Sequence, residues 1–67
     1  LADKDFYQAD AQYRRASFRL FSATESLNSL QNEGDSAAKI VEAHAELEAA
    51  RIEEAAARIS LEEHLAS

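Results

Sequence analysis

Phe6, Tyr13, Leu20 and Leu27 recur every seven positions in the first half of the chain, and Ile40, Leu47, Glu54 and Leu61 do so in the second. Taken from the two ends inward, Phe6 with Leu61, Tyr13 with Glu54, Leu20 with Leu47 and Leu27 with Ile40, the paired numbers always add to 67. Alanines alternate with them: Ala9, Ala16 and Ala23 pair with Ala57, Ala50 and Ala43 at a constant 66. A seven-residue repeat keeps one side of an α-helix apolar. A constant sum is what two antiparallel helices folded about a central turn require. The pattern predicts an all-α fold, an antiparallel two-helix hairpin. Its helices run over about 3–31 and 36–65, and its turn lies at 32–35. Those fourteen residues form an alanine-rich, coiled-coil-like seam.

The rest of the sequence agrees with this division. Proline is absent, and the one glycine, Gly34, stands where a helix-closing left-handed residue is needed. Asp35 or Ser36 can cap the second helix, although Lys39 is not the acid that a capping box uses. The first helix is expected to start near Ala2 or Asp3, with Asp3 and Asp5 at the positive end of its dipole. With 67 residues there is one small domain, and it buries little surface. No cysteine is present to supply a disulfide or a thiolate metal site. The chain opens on Leu1 instead of methionine, which implies a processed product or a piece of something longer.

Charge narrows the partners. The net charge is −6, whereas a duplex binder needs a basic face to displace counterions, so nucleic acid is not expected. Residues 1–31 hold four acids and four bases, and residues 32–67 hold nine acids against three bases. Across the hairpin the constant sum sets Asp10 opposite Arg58, Arg14 opposite Glu53, Arg19 opposite Glu48 and Lys4 opposite Glu63. Tyr13 opposite Glu54 makes one polar layer, read as a phenol hydrogen-bonded to a carboxylate.

Beyond the seam, the outer faces are not polar. The first half carries Tyr7, Ala11, Phe18 and Phe21 at helical spacings, and the second carries Val41, Ala45, Ile52, Ala56 and Ile59. Phe18, Phe21, Ile52 and Ile59 exposed together form an apolar patch larger than an isolated chain carries. Burying each contributes roughly 1.5–3 kcal/mol. Tyr7, Phe18, Phe21, Val41, Ile52 and Ile59 are therefore read as a partner interface. The expected partner is a second copy, in a two-fold four-helix bundle or a larger array. A helix from another protein is the alternative, and peripheral membrane contact through Phe18 and Phe21 is a further one. No apolar run approaches the length of a membrane span.

Chemistry has less support. His44 and Glu48, four residues apart, share a helical face and could meet one metal ion, with Glu42, Glu46, Glu62 and Glu63 nearby. The Glu-x-x-His spacing of di-iron bundles is missing, since Val41 and Leu61 stand three residues before His44 and His64. No metal or cofactor is expected. Serines 17, 22, 26, 29, 36, 60 and 67 have no histidine–acid pair set out for nucleophilic catalysis, and one glycine cannot build a phosphate-cradling loop. The chain is not expected to be an enzyme. Arg14 and Arg19 are assigned to ion pairs across the hairpin rather than to a phosphate surface, and Arg15 is left over to reach an acidic helix of a neighbour. In architecture the chain resembles the small helical hairpins that dimerise into four-helix bundles and the hairpin subunits of secretion needles. No residue motif of either carries over. The sequence points to a subunit that acts by helix packing.

Overall fold

No proline or glycine interrupts residues 4–33 or 37–66, and alanine, leucine, glutamate and arginine make up 22 of 30 residues in the second stretch and 12 of 30 in the first. These residues lose little side-chain freedom on entering a helix. The computed structural model, which describes residues 4–66, accordingly holds two helices, α1 (Lys4–Glu33) and α2 (Ala37–Ala66). They pack against each other as an all-α hairpin, a rod of 51 × 13 × 13 Å. The expected start at Ala2 or Asp3 lies outside the described residues. Asp5 stands in the first turn of α1, where its carboxylate complements the helix dipole.

The turn is closed by three local devices. Gly34 adopts φ 69°, and the Asp35 and Gly34 amides donate to the Leu30 and Gln31 carbonyls at 3.0 and 3.3 Å. This is the Schellman arrangement, which satisfies carbonyls that the helix end would leave orphaned. Because Gly34 is the residue that takes the left-handed conformation, Asn32 and Glu33 stay helical, and α1 runs two residues past the expected boundary. Ser36 caps α2: its Oγ accepts the Lys39 amide at 3.3 Å. The role of the missing capping-box acid falls to Asp35, whose Oδ1 accepts the Ser36 amide at 2.7 Å.

Gly34→Ala isolates the first of these devices. Nothing lies within 4 Å of a Cβ added there, so only the left-handed backbone opposes the substitution. The expected loss is about 1 kcal/mol, a midpoint about 4–8 °C lower in thermal circular dichroism. An unchanged midpoint would show that the turn does not depend on that conformation.

All fourteen seam residues are buried or half-buried. Ala9, Ala16, Ala43 and Ala50 are buried together with Leu27 and Leu47. Leu27, Ala43 and Leu47 form a cluster against which Leu20, Ala23, Leu30 and Ile40 pack. The register, however, differs from the one that the paired sums suggest. The two helices are equally long and flank a turn centred on Asp35, so Lys4 stands level with Ala66 and Glu33 with Ala37. Facing numbers therefore add to 70, not 67. Leucine is then set against alanine: Leu20 stands level with Ala50, Leu47 with Ala23, and Leu27 with Ala43. Large against small fills the seam while letting the helix axes approach closely. Tyr13 and Glu54 move out of a shared layer, to the heights of Ala57 and Ala16. Both are half-buried, and among the described residues no hydrogen bond joins them.

The expected ion pairs change for a related reason. Arg19 donates to both carboxylate oxygens of Glu53, at 2.7 and 2.8 Å, instead of meeting Glu48. Arg14 bonds its own helix's Asp10 at 3.1 Å, and Arg51 bonds Glu48 at 3.1 Å. Arg19 and Glu53 each precede a seam residue by one and so lie on the same flank of the hairpin. Arg14 and Glu48 each follow a seam residue by one and turn to the opposite flank. Neither Arg58 nor Lys4 makes an ion pair among the described residues. Both partners in the Arg19–Glu53 bridge are about half exposed. Such a bridge contributes only about 0.2–1 kcal/mol and mainly selects the register.

Candidate assembly interface

The hairpin exposes more large apolar side chains than it buries. Tyr7, Phe18, Phe21, Val41, Ile52, Ile59 and Leu65 are 54–71% exposed, and no side chain among the described residues is buried completely. The six residues that the spacing singles out are all on this exposed set. Leu65 is added by the structure. It follows Leu61 by four, a spacing that suggests the seam, but the line of Ala43, Ala50 and Ala57 continues through half-buried His64, which leaves Leu65 turned outward at the end of α2.

These residues do not make one patch. Tyr7, Phe21 and Val41 each follow a seam residue by one, whereas Phe18, Ile52 and Ile59 each precede one by two. On a helix turning by about 100° per residue, the first group lies on one flank and the second on the back, facing away from the seam. Phe18 and Ile52 therefore look outward from opposite long edges of the hairpin, not side by side. Each helix carries its own second stripe, about 150° around from its first on α1 and nearly opposite it on α2. On α2 that stripe is apolar throughout: Ala38, Ala45, Ile52, Ile59 and Ala66 recur at intervals of seven on its back. On α1 it is made of Tyr7, Ala11, Phe18 and Phe21. The Tyr7 ring meets Phe6 edge-on, with centroids 5.8 Å apart, which ties the end of this stripe to the seam.

The opposite flank is polar and shallow. There the Arg19–Glu53 bridge crosses the hairpin between two open hollows floored by Ala16 and Ala57 on one side and by Ala23 and Ala50 on the other. Serine and alanine line them, with Gln12 and Arg15 at the edge of the first and Glu46 at the edge of the second.

The metal reading finds little to hold. His44 is exposed and Glu48 is engaged by Arg51, so the pair that shares a face is not joined. Among the described residues no group of three histidine, cysteine, aspartate or glutamate side chains is placed to hold an ion. His64 instead lies with Nδ1 2.8 Å from the Ser60 carbonyl oxygen, to which the ring can donate in the last turn of α2. No helix is long and apolar enough to cross a membrane. No protein-family model, curated protein or solved structure matches the chain.

Proposed function

We propose that this chain is a self-associating structural or assembly subunit that acts through helix–helix packing on its outer faces. One observation carries the reading: seven large apolar side chains stand mostly exposed while the seam buries two leucines and four alanines. So small a core supplies little of the roughly 5–15 kcal/mol that holds a folded domain together. Burying the outer stripes offers about 1.5–3 kcal/mol for each phenylalanine or isoleucine, enough to make folding and association one process. The seven-residue spacing of both stripes suits coiled-coil-like packing on two sides of every helix. A second copy brings the matching surface at no cost in specificity, and a helix of a different protein is the competing occupant.

Sedimentation equilibrium with light scattering, run from sub-micromolar to hundreds of micromolar, tests this. The expected result is a mass that rises above the monomer together with helicity. A stably helical monomer at micromolar concentration would overturn the reading.

A further inference from the structure

Resting on that self-association, we infer that copies join edge to edge, the outward face of α1 in one against the outward face of α2 in the next, with every turn at the same end. Charge is the first reason. The outward half of α1 carries Lys4, Arg14 and Arg15 against one acid, Glu25. The outward half of α2 carries Glu42, Glu48, Glu62 and Glu63 and no base, because Lys39, Arg51 and Arg58 lie toward the seam flanks. Pairing like with like sets four glutamates against four glutamates. Pairing α1 with α2 sets a basic edge against an acidic one.

Height is the second reason. The α1 stripe spans Tyr7 to Phe21. With facing numbers adding to 70, Ile59 and Ile52 stand at the heights of Ala11 and Phe18. Two hairpins placed with their turns at the same end therefore bring Ile59 and Ile52 against the whole of the α1 stripe. The aromatic rings of α1 then face the smaller Ile and Ala side chains of α2. If one hairpin is inverted, Phe18 and Ile52 stay level near mid-helix, but Ile59 moves about 22 Å toward the turn, beyond Phe21, and Tyr7 and Ala11 face only Ala38 and Ala45.

Direction is the third. In a four-helix bundle each helix meets its two neighbours about 90° apart. Here the outer stripe lies about 150° from the seam on α1, leaning toward one flank, and nearly opposite the seam on α2. Neighbours added this way form a gently curved wall. Because the two contacting faces differ, the contact is heterologous: it closes as a ring of on the order of ten hairpins or continues as a filament.

Two face-blocked variants decide the matter. Phe18→Glu with Phe21→Glu removes the α1 face, and Ile52→Glu with Ile59→Glu removes the α2 face; all four sites are exposed in the hairpin. The expectation is that each variant alone stays monomeric while an equimolar mixture forms a one-to-one heterodimer and stops there. Variants that each still dimerise, or a mixture that stays monomeric while the native chain assembles, would overturn the arrangement. A native chain that is itself monomeric would instead overturn the self-association on which it rests. Should the variants lose their helices, a nitroxide at Asn32→Cys reports on the assembled chain directly. Labels on adjacent copies are expected about 20 Å apart, two helix spacings, whereas inverted copies would separate them by most of the 51 Å rod. A long distance, or a native species that saturates at two hairpins, counts against the proposal.

Discussion

Leu47→Ala is expected to abolish the hairpin at low micromolar concentration. Leu47 is one of two leucines buried in the seam, in the cluster with Leu27 and Ala43. Leu20, Ala23 and Leu27 of α1 pack in or against that cluster, so losing its side chain opens the middle of the seam. Leu→Ala changes in cores cost about 2–5 kcal/mol, the upper end belonging to sites that cannot collapse. A domain this small has little more than that to lose. The midpoint of the helical signal should therefore fall by well over 10 °C, and the chain should be largely unfolded at 37 °C when dilute. Ile52→Ala serves as the comparison, because Ile52 is 70% exposed in the hairpin. Its effect should be within about 0.5 kcal/mol in dilute solution and should grow as the chain assembles. If Leu47→Ala and Ile52→Ala shifted the dilute midpoint equally, the seam would not be what holds the helices together.

That contrast also shows what could be read without coordinates. Two seven-residue repeats separated by one glycine specify two helices and a turn, since helix periodicity and a left-handed C-terminal residue are both local properties. The register is not local. Pairing Leu20 with Leu47 and Phe6 with Leu61 assumes that like residues face each other. The helix boundaries and the Arg19–Glu53 bridge instead set leucine against alanine and move the register by three. The ion pairs went astray for want of one further step. Whether a charged residue precedes or follows its seam neighbour decides its flank, and Arg14 follows Tyr13 whereas Arg19 precedes Leu20. The second stripe was legible as spacing, but its division between two edges depends on which way each seam residue points. The exposure of Leu65 is not legible in the spacing, because four residues on from Leu61 looks like another turn of the seam, whereas His64, seven after Ala57, takes that position. What meets the stripes leaves no periodic signal in one chain. It has to be argued from charge and height on the two edges.

Phe21→Glu is expected to weaken assembly by about 100-fold or more in concentration while leaving a weak hairpin with the helicity that the native chain keeps when dilute. The side chain is 62% exposed on the flank of α1, so the seam loses little, and glutamate is as good a helix former as the sequence uses elsewhere. At an interface the change is costly twice over. It removes the burial of an aromatic ring, about 1.5–3 kcal/mol, and it leaves a carboxylate to be desolvated or to hold the partner off. With each 1.4 kcal/mol worth a factor of about ten, the two effects together carry the midpoint of association from micromolar into the hundreds of micromolar. A negative charge added elsewhere must not do the same. Ser26→Glu makes the same change in net charge on the opposite, polar flank beside the shallow hollow next to Ala23 and Ala50, and should move the association midpoint no more than a few-fold. Sedimentation of the two variants at matched ionic strength separates them. Equal weakening would attribute assembly to the chain's overall charge, and no weakening by Phe21→Glu would remove the α1 stripe from the interface. A large effect of Phe21→Glu alone is the signature of a surface built to be covered.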